Sequence, residues 1–258
     1  RHHWIQAQAS LFERKAALRF SDGASRPSPE TGREGLISLR YYYLSRLPES
    51  VNDFLPEQGG GFSIEFDVSE ADVFGEYSYT RQKIQAFKNQ KIAGKFTAYV
   101  RFLAENIHGN YLSQDTPGFY NDASFYPGGF TPFMLGPYSV LDTRESYILR
   151  GAETTLAGET LMQGTVELRV SVARNLPVKF FILSLGGMSF SPYLDAGVVH
   201  THNQNLTLST AGIELRNEVH VGNFSAFHLA YGLGQSLKSW QSSGKPVWFI
   251  RFGLINPF

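Results

Sequence analysis

The chain has 258 residues, 42% hydrophobic and 14% aromatic, with 18% charged and a formal net charge of zero. That length supports one domain with a substantial core, and the neutral balance lacks the basic excess of a nucleic-acid binder. Cysteine is absent, which removes disulfides and thiolate metal sites.

No run of about 18 apolar residues exists, so no transmembrane helix is predicted. The most apolar stretch, Phe180 to Leu185, is short and runs into Gly186-Gly187. The chain starts at Arg1 without a signal peptide, and is read as a mature protein or a fragment.

Alternation at period two recurs from end to end and predicts an all-β fold. Strands are expected over 4–20, 35–47, 61–70, 73–88, 92–106, 139–149, 163–174, 178–200, 206–221, 224–239 and 246–258. The first competes with a helical composition over Gln6 to Ala17. In the third, Phe62, Ile64, Phe66 and Val68 take one face and Ser63, Glu65, Asp67 and Ser69 the other. The same pattern sets Phe96, Val100 and Phe102 against Thr97 and Arg101, and Val166 and Leu168 against Glu167 and Arg169. Later, Ala211, Ile213 and Leu215 oppose Glu214 and Arg216, and Trp248, Ile250, Phe252 and Leu254 oppose Arg251 and Gly253. Tight turns fit Glu70-Ala71-Asp72, Arg174 to Pro177 and Gly222-Asn223. Longer connections fit 21–34, 48–60, 106–138 and 150–162, and the third of these, with Pro127-Gly128-Gly129-Phe130, reads as an ordered loop.

A soluble sandwich also alternates, because its outer face is wet. Two features favour a transmembrane antiparallel β-barrel. Many strands are long, and a tilted membrane strand needs about 9–11 residues where soluble strands average about five or six. Aromatic residues also gather toward strand ends (Tyr41 to Tyr43, Phe74, Tyr77, Tyr79, Trp240, Trp248), as interfacial girdles do. Bacterial barrels have even strand numbers. A further strand within 111–138, or a split of 178–200, would bring the expected eleven to about twelve, and to as many as about sixteen if part of a barrel is missing. Residues 1–258 are expected to form a single barrel domain with an inward-folding loop at about 150–162.

One ordered set of residues is more specific. Leu149-Arg150-Gly151-Ala152 is followed by Gly158, by Gly164-Thr165-Val166-Glu167-Leu168-Arg169, and then by Pro192-Tyr193-Leu194-Asp195-Ala196-Gly197. This order resembles the C-terminal barrel of the BamA/TamA superfamily of outer-membrane assembly and translocation proteins. The resemblance covers about residues 139–258 and includes a last strand ending in an aromatic residue, Phe258. It implies a long extracellular loop that carries Arg150 and Gly151 and folds back into the lumen, with Glu167 and Asp195 on the strands that follow. Ala152 stands where the family carries an aromatic residue.

The residues support the same reading on physical grounds. Glu167 and Asp195 fall on the polar registers of neighbouring strands, and a buried carboxylate pair needs a counter-charge. A guanidinium can contact both acids, and Gly151 lets the loop turn sharply against the wall. Arg150 is therefore expected to pin the loop by bridging Glu167 and Asp195. In the last strand, Phe252, Gly253 and Phe258 resemble the C-terminal signal that barrel-assembly machinery recognises. Asn256-Pro257 departs from that signal, and Pro257 removes a backbone donor, which suits a strand end or an unpaired edge.

No catalytic constellation emerges, so the chain is not expected to be an enzyme. No G-x-S-x-G is present, and Gly59-Gly60-Gly61 precedes a strand rather than the helix a phosphate loop requires. His200 and His202 lack a third ligand at suitable spacing, and His228 reads as a lumen filler, so no metal or other cofactor is expected. The resemblance implies an integral protein of a Gram-negative outer membrane. Its partners would be membrane lipids, unfolded outer-membrane proteins and other barrel-assembly subunits, with no nucleic acid. It implies help in inserting or exporting outer-membrane proteins, with three alternatives. One is a non-catalytic scaffolding barrel, another a passive pore, disfavoured if the loop after Leu149 plugs the lumen, and the last the membrane anchor of a patatin-like lipase.

Overall fold

The alternating segments fold as strands of one antiparallel sheet. A computed structural model describes residues 2–14, 32–47, 57–111, 118–119, 130–131, 149–152, 156–173, 176, 178–202, 204–222, 225–238 and 245–255. The first half holds β1 (His2–Arg14), β2 (Gly32–Leu47), β3 (Gln58–Ser69), α1 (Ala71–Phe74), β4 (Ser78–Ala93) and β5 (Phe96–Asn110). Three two-residue strands follow: β6 (Gly118–Phe119), β7 (Phe130–Thr131) and β8 (Leu156–Ala157). The remainder is β9 (Thr160–Ala173), β10 (Val178–Phe180), β11 (Leu183–Thr201), β12 (Gln204–Val221), β13 (Ser225–Lys238) and β14 (Val247–Ile255).

The strands lie in the order β1-β2-β3-β4-β5-β9-β11-β12-β13-β14-β7, with β10 beside β11, making twelve strands in one sheet. Ten of them have nine or more residues, and consecutive long strands pair antiparallel. Only β7 runs parallel to its neighbour, matching Phe130 to Ile250 and Thr131 to Arg251 of β14. Among the described residues no pairing joins β1 to β14, so the sheet is open between them.

Several boundaries differ from the sequence expectation. The Gln6–Ala17 stretch is extended through Arg14, where pairing to β2 decides against helix. The expected turn at Glu70-Ala71-Asp72 is one helical turn instead, closed by Gly75 N–H donating to Ala71 O at 3.2 Å, so β4 starts at Ser78 and not at 73. Segment 178–200 splits at Phe181-Ile182, while Gly186-Gly187 forms a bulge inside β11. The expected strand 139–149 lies outside the described residues except for Leu149, and β9 begins at Thr160, within the expected loop 150–162.

The pairing register is strongly staggered. From His2, the first residue of β1, directly paired residues run through Leu44, Gly61, Phe87, Arg101, Thr165, Asp195 and Thr210 to Ser236. Ser236 lies next to the far end of β13, which stops at Lys238. The line perpendicular to the strands thus climbs most of a strand length across the sheet. Strand tilt of this kind is what closing a sheet into a barrel requires.

Burial is inverted relative to a water-soluble sandwich. On β3, Ser63, Glu65, Asp67 and Ser69 are buried, while Ile64 and Phe66 are exposed at 46% and 42%. The same holds on β4, with Lys83, Gln85 and Asn89 buried against exposed Ile84. On β9, Gln163, Thr165 and Glu167 are buried against exposed Met162, Val166 and Leu168. A soluble sheet hides its apolar face because water disfavours it. Here the hidden face, which we call inner, is the polar one. The aromatic residues divide likewise: Tyr41, Tyr43 and Phe62 form an outer group with His3. Tyr42 and Tyr79, expected in a girdle, are instead buried on the inner face.

Candidate functional site

Leu149-Arg150-Gly151-Ala152 forms a tight turn, with Ala152 N–H donating to Leu149 O at 3.2 Å. Gly151 sits at φ 77, in the left-handed region that favours glycine. Its Cα faces the backbone of Gly234 on β13, and a Cβ there would collide with that backbone. Gly234 pairs directly with Gly212 of β12, so two side chains are missing from the same spot in the wall. The gap admits both the Gly151 backbone and the Tyr193 phenol of β11.

This seating carries Arg150 onto the inner face, where it is 4% exposed. Its Nε and Nη2 donate to Oδ2 and Oδ1 of Asp195, both at 2.8 Å, a bidentate contact. Its Nη1 lies 2.8 Å from Glu167 Oε1 and 3.4 Å from Glu214 Oε2. The backbone N–H of Arg150 adds a longer contact to Asp195 Oδ2 at 3.3 Å. The guanidinium carbon lies 3.7 Å from the centre of the Tyr193 ring, which meets Phe249 of β14 edge-on. The arginine thus touches β9, β11 and β12 at once. The structure brings together Arg150, Gly151, Glu167 and Asp195, the four residues singled out in the sequence for the loop.

Sequence reasoning missed the rest of the cluster. Glu214, the third acid, is fully buried on β12, opposite Ser191 of β11. Among the described residues, two further arginines join the cluster. Arg169 donates from Nε to Glu167 Oε2 at 2.7 Å and from Nη1 to Asn89 Oδ1 at 3.2 Å, and stacks on Tyr99. Arg216 donates to Glu214 Oε1 from both Nε and Nη2. Three acids therefore meet three arginines, which offsets desolvation that a lone buried charge would not survive. Glu214 and Arg216 did sit on the polar register in sequence; their height beside Asp195 did not show there.

Beneath the turn the inner face is apolar. Leu149 and Ala152 pack with Leu103 of β5, Leu161 of β9, Val199 of β11 and Leu208 of β12. Ala152 therefore fills a place in this cluster with a small side chain where the family resemblance expects an aromatic one.

The C-terminal residues stand apart from this site. Phe252 pairs with Leu229 and Gly253 with His228 along β14, while Phe258 lies outside the described residues, as do Asn256 and Pro257. His200, at the end of β11, meets Asn205 Oδ1 through Nδ1 at 2.6 Å, and His202 is exposed in the following turn. Among the described residues no group of three His, Cys, Asp or Glu side chains is placed to hold a metal ion. A scan of protein-family models finds no match to this chain, and a search of curated proteins finds no similar sequence.

Proposed function

We propose that this chain is an integral outer-membrane β-barrel of the BamA/TamA type, assisting the insertion or export of outer-membrane proteins. The observation that carries the reading is the Arg150 turn, ion-paired to three strands inside a sheet whose outer face is apolar. Hydrocarbon around Ile64, Phe66, Val166 and Leu168 would remove the cost of exposing them, and the buried polar face would become the lumen wall. The ten long antiparallel strands are even in number, so β1 and β14 run in opposite directions and can meet as an antiparallel seam. The register stagger supplies the tilt that such closure needs.

The mechanism is non-covalent. A weak seam presents backbone donors and acceptors, and free strand edges template the pairing of an incoming chain. β14 meets only the two residues of β7 beyond its pairing with β13, which leaves most of its outer edge available among the described residues. Arg150 holds the inward loop against β9, β11 and β12, keeping that half of the wall rigid beside the seam. The filled inner face around Leu149 and Ala152 weighs against a passive pore.

The test is reconstitution into liposomes with an unfolded outer-membrane protein as client. The wild-type chain should speed client folding, and Arg150→Ala should lose the effect while its own strands remain folded by circular dichroism. A wild-type protein that gives no acceleration would reject insertion and leave a scaffolding barrel. Ion conductance through the protein alone would favour the pore.

A further inference from the structure

The hairpin joining β10 to β11 carries an apolar tip that nothing in the proposed lumen or seam uses. Beyond β9, whose last residue Ala173 pairs with Met188, β11 continues to Leu183 and turns back through Phe181-Ile182 into β10. Val178, Phe180, Phe181, Ile182 and Leu183 are all exposed there, Phe181 at 93%. Phe180 and Phe181 meet edge to face, with ring centres 5.3 Å apart.

Register assigns the faces of this hairpin. Leu185 pairs with Val178 and Val219, and Leu183 with Phe180 and Val221, while Lys179 and Ser184 pair on the opposite face. Directly paired residues share a face. Ser184 also pairs with His220, which contacts Glu218, two residues beyond the inner Arg216. The Val178, Phe180 and Leu183 side chains therefore continue the apolar outer face, and Lys179 turns toward the polar side. The turn also places Phe181 at φ 53, a left-handed backbone that a bulky residue disfavours and a glycine would relieve. A phenylalanine at this strained position, 93% exposed, points to a use for its side chain.

We infer that this tip is a membrane-interface anchor, seating Phe180, Phe181 and Ile182 at the boundary of headgroups and acyl chains. The bilayer leaflet is the one on the rim where β1 begins and β14 ends. The inference rests on the membrane reading above, because the hairpin extends the same outer face. Exposed aromatic and aliphatic residues at a strand end suit that boundary, where a ring sits at headgroup level with hydrocarbon beneath it.

The chain contains no cysteine, so a single introduced thiol can be labelled uniquely. Phe181→Cys, Lys179→Cys and Leu194→Cys would each carry an environment-sensitive dye in the full-length protein, refolded into phosphatidylcholine vesicles containing spin-labelled lipid. Leu194 lies on the outer face in mid-strand and reports the membrane reading itself. The expected result is quenching at 181 about twofold stronger by a shallow spin label than by a deep one, with the reverse order at 194 and weak quenching at 179. Quenching at 194 with a dye at 181 open to aqueous iodide would overturn the anchor and leave the membrane reading standing. Lipid quenching at neither site would overturn both. A dye at 181 shielded from iodide and from lipid alike would assign the tip to a protein contact and equally overturn the anchor.

Discussion

Two regions of the inner face bury arginine–carboxylate pairs, and they do so in different ways. Between β2, β3 and β4, Arg40 faces Glu65 directly across one strand pair at 2.5 Å, and Arg81 faces Asp67 across the next, also at 2.5 Å. These are neighbours in a ladder, each arginine about one-fifth exposed. Around Arg150 the arginine comes from a turn that belongs to none of the strands it binds, and it is almost wholly buried. The first arrangement satisfies a wall. The second ties a loop to it, because removing one side chain releases contacts to three strands.

The difference predicts unequal costs for equivalent substitutions. Arg150→Ala takes from Asp195, Glu167 and Glu214 a cation that contacts all three, leaving buried negative charge short of compensation. The expected loss is about 3–5 kcal/mol, read from denaturant unfolding of the refolded protein. Arg150→Lys should recover less than half of that, since an ammonium cannot reproduce the two-pronged contact with Asp195. A loss no larger than that at Arg81 would remove the distinction between the two regions.

Gly151→Ala tests the seating of the turn independently of charge. The left-handed backbone alone should cost about 1–2 kcal/mol, and collision with the Gly234 backbone adds to it. Unfolding midpoints should fall, with Arg150 still present. An unchanged midpoint would mean that the turn relaxes away from β13, and that the paired Gly212 and Gly234 are not its socket.

Arg81→Ala, in the ladder, should cost about 1–3 kcal/mol, the usual range for a buried acceptor left short of a partner. Asp67 is fully buried, yet the arginine side is wet enough for water to replace part of the contact. The same measurement at Arg150 and Arg81 compares a lock with a rung.

The sequence made the wall more legible than the lock. Alternation assigned Glu65, Asp67, Glu167 and Asp195 to the polar face, since the period of two depends only on local spacing. The height at which residues on different strands meet is set by pairing register, and one step of slippage moves every side chain to the other face. Glu214 therefore read as a polar-face residue and no more, though it lies beside Asp195 through its strand's pairing. The break inside 178–200 had no position in the sequence for a related reason. Gly186-Gly187 lies within that expected strand and forms a bulge rather than a turn. The chain turns instead at Phe181, where no residue type announces a left-handed backbone.

Charge balance in the lock gives the smallest and most discriminating effect. In the wild-type chain, Glu214→Gln removes one acid from a balanced set of three and three, leaving Arg216 without its nearest carboxylate. That should destabilise by about 1 kcal/mol. In an Arg150→Ala background the same change removes surplus negative charge and should stabilise by a similar amount, reversing sign. Residues that act as one network are non-additive in this way, whereas independent contacts add. A cycle of four unfolding measurements reads the coupling directly. The same cycle built on Arg81 and Glu214, which share no partner in the observed ion pairs, should close to within about 0.5 kcal/mol.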